Sequence, residues 1–170
     1  MITLVPFEQI PQKFMEELTI RLEEVFATTV VISSPLSIPK GAYEPHRDQY
    51  NAGPLLQALR MGDVHERIVG IVDKDLFVPQ LNFIFGIADP EGRRALIAVS
   101  RLRQEFYGLT ANFTLFLLRA LKEAVHELGH TWGLGHCFDP HCVMYFSNSL
   151  IDTDRKEYQF CHRCRNKLVK

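Results

Sequence analysis

His126-Glu127-Leu128-Gly129-His130-Thr131-Trp132-Gly133-Leu134-Gly135-His136 is the stretch from which the rest of the chain is read. On a helix, residues four apart share a face, so His126 and His130 can direct their imidazoles at a single metal ion. Glu127 sits one position round the helix, displaced from that axis, where a carboxylate reaches a water beside the metal rather than the metal itself. A general base is needed there. Gly133 falls one turn after His130, where helices commonly end in a left-handed residue that glycine adopts at little cost. The reversed chain can then bring His136 back as a third nitrogen. Three neutral histidines leave a tetrahedral zinc one open position, the mark of a catalytic rather than a structural site.

Upstream, the pattern is helical from Leu109 to Trp132, with Thr110 as the expected N-cap. Phe113, Phe116, Leu117, Ala120, Leu121, Ala124 and Leu128 form one broad apolar face. This helix is expected to be deeply buried, so that packing holds His126 and His130 rigidly. At the start of the chain, residues 2–5 predict a strand stopped by Pro6. An amphipathic helix from Pro11 to Thr28 follows, with Phe14, Leu18, Leu22, Val25 and Phe26 at helical spacing. The β-branched run 29–33 is a second strand, and a right-handed parallel crossover is the usual outcome of such a β-α-β start.

Residues 34–53 carry Pro35, Pro39, Gly41, Pro45 and Gly53 and predict a long irregular connection, with the polar run His46–Asn51 a solvated loop. Leu55 to Met61 predicts a short helix, and 66–73 a buried central strand. The apolar run 81–88 predicts another strand, in which Gly86 signals a bulge or a close backbone approach. Residues 95–100 predict a core strand, followed by Arg101 and Arg103 as solvated charges. Beyond Cys137 the chain is short and turn-rich, with one short helix expected at 152–160 and a basic tail of Arg163, Arg165, Lys167 and Lys170.

A chain of 170 residues fits one domain. Its formal net charge of -1, with 23% charged residues, gives no global attraction to nucleic acid or to an anionic membrane. The first 30 residues lack a secretory pattern, and no apolar run reaches the length of a transmembrane helix. The expectation is a soluble, cytoplasmic monomer. All 4 cysteines, Cys137, Cys142, Cys161 and Cys164, follow residue 136. In a cytosolic chain disulfides are disfavoured, whereas a C-x4-C pair followed by C-x2-C has the ligand spacing of a four-thiolate zinc site. His141 and His162 lie close to cysteines as spare candidate ligands, whereas His46 and His65 are expected at the surface; none of the four is expected on a metal.

The elongated histidine motif, with Cys137 at once after it, Cys142-Val143-Met144 next and Cys161-x-x-Cys164 last, resembles the archaemetzincin family of zinc metallopeptidases within the metzincin clan. The resemblance covers the C-terminal third by motif. It implies an α/β (α+β), metzincin-like fold: a twisted, mixed five-stranded sheet with one antiparallel edge strand, two long helices and a small zinc-stapled C-terminal subdomain. Residues 1–170 would form a single metallopeptidase domain, with an N-terminal sheet and helix part at 1–133 and a C-terminal part at 134–170.

By the same resemblance, His126, His130 and His136 bind a catalytic zinc and Glu127 is the base. Cys137, Cys142, Cys161 and Cys164 bind a structural zinc, giving two Zn2+ per chain, and Met144 is the Met-turn methionine beneath the catalytic metal. The edge strand, at about 82–88, would bind an extended peptide substrate by strand addition. Other metzincins, notably astacins, place a tyrosine two residues after the Met-turn methionine; here that position is Phe146, and Tyr145 is adjacent to Met144. The implied activity is hydrolysis of peptide bonds. The alternative is a two-zinc protein with little or no peptidase activity, acting as a partner- or peptide-binding module. A zinc-ribbon-like nucleic-acid module is opposed by the acidic balance and by the lack of aromatics interleaved with the basic tail.

Overall fold

The computed structural model describes residues 1–60 and 66–168; the expectations that reach Met61, His65 and Lys170 lie outside the described residues. Strands β1 (Ile2–Phe7), β2 (Val30–Ile32), β5 (Arg67–Val72), β7 (Gly86–Asp89) and β8 (Arg94–Ala98) form one mixed sheet. Its order is β2-β1-β5-β8-β7, parallel throughout except for β7, which runs antiparallel to β8 along one edge. The β1-α1-β2 start is the parallel unit that the sequence predicts, with α1 at Gln12–Phe26.

Successive side chains of a strand face opposite sides, and the sheet divides its core accordingly. Ile2, Leu4, Val69, Ile71, Ala95 and Ile97 pack beneath α1 and α3 (Phe113–Thr131), where Phe14 stacks on Phe116 at 4.7 Å between ring centroids. Val5, Phe7, Ile68, Val72, Leu96 and Ala98 face the other way, onto Ala52, Leu55 and Leu59 in and just after α2 (Ala52–Ala58). Truncating one such leucine costs about 2–5 kcal/mol.

Several local expectations are corrected by the structure. Pro6 does not stop β1, which continues to Phe7 and pairs with β5 throughout. The reason is the side on which its missing N–H falls. The Pro6 carbonyl accepts from Leu36 N on the β2 flank, where β2 has already ended at Ile32, so the proline removes no donor from the β5 ladder. The apolar run 81–88 is a strand only from Gly86; residues 81–85 are irregular and apolar because they wall a cavity. The N-cap of α3 is Asn112, whose side chain accepts from Leu115 N, rather than Thr110. The short helix expected at 152–160 is α4, Leu150–Arg155, started by a Ser149–Asp152 capping box, and α5 (His162–Leu168) takes up the basic tail.

The connection 34–53 contains β3 (Tyr43–Glu44) and β4 (Gln49–Asn51), which join β6 (Leu76–Phe77) in a second small sheet. It is not simply solvated. Arg47 Nη2 donates to the carbonyls of Leu81 and Asn82, and buried Gln49 donates to Asn82 O and Asp75, so the loop holds the segment leading into β7. Arg101 and Arg103 are likewise bound rather than free: Arg101 forks onto Asp75 at 2.6 and 2.7 Å, and Arg103 pairs with Asp73. Among the described residues, no helix is long and apolar enough to cross a membrane.

Candidate active site

Helix α3 is buried over most of its length, including Arg119, Lys122 and Glu123. Each of these polar groups is met from α4: Arg119 forks onto Asp154 at 2.6 and 2.7 Å, Lys122 Nζ donates to the carbonyls of Thr153 and Asp154, and Glu123 accepts from Thr153 Oγ1. Paired burial of this kind fixes the last turns of α3, which carry His126, Glu127 and His130. The helix ends at Thr131, and Gly133 turns the chain with φ 81°. His136 returns on the far side of that turn.

The nearest ring nitrogens of His126, His130 and His136 lie within 4.8 Å of one another. His126 Nδ1 bonds to Val143 O at 2.8 Å and His130 Nδ1 to Leu134 O at 2.7 Å. A carbonyl only accepts, so each Nδ1 carries the proton and each Nε2 is left as a lone-pair donor facing its partner 3.0 Å away. Burial pushes His126 well below its ordinary pKa, with the Lys156 charge adding to it; burial also lowers His130 and the exposed His136. All three are therefore neutral near pH 7, as metal ligation requires. This donor set fits a tetrahedral zinc with one open position.

Glu127 is 6% exposed and faces a cavity of about 260 Å³ that it shares with His126. Burial, with Glu123 adding like charge and Lys156 opposing, raises its carboxyl to about 8. The close backbone approach signalled by Gly86 is to this residue: a Cβ at Gly86 would lie 2.6 Å from Glu127 Cγ. The cavity runs between the 81–86 segment and Phe146-Ser147-Asn148. Phe146 packs on His136 at 4.8 Å between ring centroids, a place that its offset from Met144 marks out in the sequence.

The sulfurs of Cys137, Cys142, Cys161 and Cys164 also converge within 4.8 Å, and all four thiols are free. Burial pushes Cys142 and Cys164 upward. At Cys161 burial acts the same way, but the Cys164 amide and the neighbouring thiols outweigh it and bring the group to about 7. Four convergent sulfurs with one thiolate favoured, and the Cys161 amide directed at Cys142 Sγ at 3.3 Å, fit a tetrahedral thiophilic ion. Met144 is wholly buried, and a Cβ at Gly129 would meet its Sδ at 2.4 Å. The methionine thus lies directly under the helix turn that carries both histidines. His46, His141 and His162 are exposed and join neither cluster.

Sequence reasoning missed Glu123, Ser147, Asn148 and Lys156. Only Glu123 carried a signal, as an acid one turn before Glu127 on the same face. The family model described as peptidase family M54 matches residues 7–170. Among curated relatives, an archaemetzincin of Methanocaldococcus jannaschii is 40% identical over 98% of this chain and 92% of its own length, and one of Pyrococcus furiosus is 42% identical over 99% and 92%. The crystal structure of a zinc-dependent peptidase from Methanocorpusculum labreanum superposes with a TM-score of 0.89, at 31% identity, covering 99% of this chain and 100% of that one. An archaemetzincin from Archaeoglobus fulgidus, crystallised with malonate, gives 0.84 at 36% identity, covering 98% of both chains.

Proposed function

The chain belongs to peptidase family M54 and is a zinc metallopeptidase, and from that premise we propose that His126, His130 and His136 hold the zinc while Glu127 serves as general base in peptide-bond hydrolysis. The observation that carries the assignment of the base is the setting of Glu127: a buried carboxylate beside the three converging imidazoles, facing the cavity they share. Zinc, when bound, supplies Lewis acidity, lowering the pKa of a water toward about 7 and polarising the scissile carbonyl.

The chain's own residues do the rest. Glu127 takes the proton of the attacking water on its carboxylate and delivers it to the leaving amine. Burial makes that carboxylate more basic than an exposed one, while the Lys156 charge opposes the shift, so the group can both accept and release a proton near neutral pH. Val143 O and Leu134 O hold the imidazoles in the ligating tautomer. Among the described residues the outer side of β7 has no neighbouring strand in the sheet, and an extended peptide is placed along it by strand addition.

Cys137, Cys142, Cys161 and Cys164 are assigned a second, structural zinc, and Met144 the support of the histidine turn. Gly133 then divides a sheet-and-helix part from a cysteine-stapled part. A peptide-library digest tests the reading. Zinc-loaded protein should cleave a subset of peptides, lose that activity to a chelator and regain it with zinc; cleavage of none by the fully loaded protein would refute it.

A further inference from the structure

The chemistry assigned to Glu127 leaves a second buried carboxylate in the same cavity unused. Glu123, one turn earlier on α3, is 3% exposed and lines that cavity. Its Oε1 accepts from Thr153 Oγ1 at 3.0 Å and lies 3.2 Å from Lys156 Nζ. Lys156 is 1% exposed, and its ammonium has no hydrogen bond of good geometry among the described residues, so it holds Glu123 through charge. Buried ion pairs are often replaceable by apolar packing without loss of stability. Cross-linking α3 to the chain after α4 is therefore a weak reason for this one.

The rest of the lining shows what the pair shares the cavity with. Ser147 Oγ is shielded from solvent and has no partner among the described residues, and Asn148 lies beside it on the cavity wall. Leu81, Phe83, Ile84 and Phe85 add apolar surface to the same lining. An occupant thus meets an apolar passage, an acceptor at Glu123, and groups able to donate at Ser147 and Asn148. Because the cavity also reaches His126 and Glu127, that occupant sits next to the reacting bond.

We propose that this cavity is a specificity pocket for a substrate side chain ending in a carboxamide, glutamine above all, adjacent to the scissile bond. Glu123 accepts from the amide NH2, and Ser147 donates to the amide carbonyl. A lysine or arginine gains little, because Lys156 already neutralises Glu123. A glutamate would bring a third carboxylate beside Glu123 and Glu127. An aliphatic side chain covers Glu123 without supplying a donor and leaves Ser147 Oγ unpaired, the kind of mismatch by which polar sites reject apolar analogues.

The proposal rests on the peptidase reading, and its test separates the two. Peptides identical except for Gln, Glu, Leu or Lys beside the scissile bond, varied on each side in turn, are assayed for kcat/KM. Their uncleavable reduced-amide forms are titrated by calorimetry onto the zinc-loaded wild-type protein. Glutamine should exceed the other three by about tenfold or more in both measurements on one side of the bond. Ser147→Ala, at a half-buried position, should reduce that preference to a few-fold; Glu123→Gln combined with Lys156→Met should turn it toward glutamate. Equal affinities, or a preference for leucine, overturn the pocket even if the Glu123 variant fails to fold. Ranked binding without any hydrolysis supports the pocket and sinks the peptidase reading instead.

Discussion

Gly86 of the edge strand and Glu127 of helix α3 are in backbone-to-side-chain contact: a Cβ at Gly86 would sit 2.6 Å from Glu127 Cγ and 2.7 Å from its Oε1. The contact reaches back to Cγ, mid-chain in a buried side chain, so the glutamate could yield only by changing rotamer. Gly86→Ala is expected to lower kcat by about 10- to 100-fold, the scale on which displaced catalytic groups lose rate. Zinc content should be unchanged, because the three atoms nearest that Cβ all belong to Glu127 rather than to a histidine. Paired kinetics and metal analysis check both.

Gly129 and Met144 form a second contact of this kind, with Sδ 2.4 Å from where a Cβ would stand and Phe160 Cε1 3.1 Å away. Alanine at 129 gains about 1 kcal/mol of helix propensity over glycine, but overpacking a buried methionine costs about 1–3 kcal/mol. The clash outweighs the gain, so Gly129→Ala should lower stability to urea. Met144→Ala leaves a cavity and should cost about 2–5 kcal/mol alone. The double variant should be less destabilised than the sum, since each change makes room for the other. Strict additivity would break the assigned packing.

Much of this was legible in the sequence because it depends on spacing. The three histidines, the four cysteines and the turn at Gly133 lie at fixed offsets on a helix and the turn after it, and Gly86 announced a close approach by lacking a side chain. The parallel β-α-β start followed from the change of hydrophobic period and the β-branched run, whereas the order of the five strands was not read from them. What depends on distant partners was not legible. Pro6 stays in β1 because of where β2 ends, and the Phe83–Phe85 run is apolar as a cavity wall, not as a strand. Lys156 reads as an ordinary surface lysine until α4 folds back onto Glu123.

The histidine and cysteine clusters share a short segment. The Val143 carbonyl orients His126, Met144 O accepts from Cys137 N next to His136, and Cys142 belongs to the sulfur cluster. Cys142→Ser should therefore remove one zinc and also weaken retention of the other by about tenfold or more, as loss of supporting contacts around a metal site does. Metal analysis and chelator competition measure this. One zinc per fully loaded wild-type chain would contradict the premise.

Metal-free protein should show a pH dependence traceable to Glu127. Its carboxyl stands at about 8 in the folded chain, against an ordinary 4.5, through burial first and Glu123 second. The folded state therefore keeps a proton that the unfolded chain has released. This contribution is fully present below pH 4.5 and is lost as pH rises through about 8. The histidines act oppositely: burial lowers them from 6.5, so they reduce stability as pH falls below that value. Between 6.5 and about 8 the glutamate contribution changes without theirs. Urea midpoints of metal-free protein should fall more steeply across that window for wild type than for Glu127→Gln, and equal slopes would refute the assignment.

The central claim, that Glu127 moves the proton while three histidines hold the metal, is tested most directly by Glu127→Gln with zinc content and kcat/KM measured on the same sample. The variant should carry as much zinc as wild type, because Glu127 is not a ligand, and hydrolyse peptides at least about a thousandfold more slowly, within the range expected for loss of a general base. Turnover within a few-fold of wild type at equal zinc would contradict it.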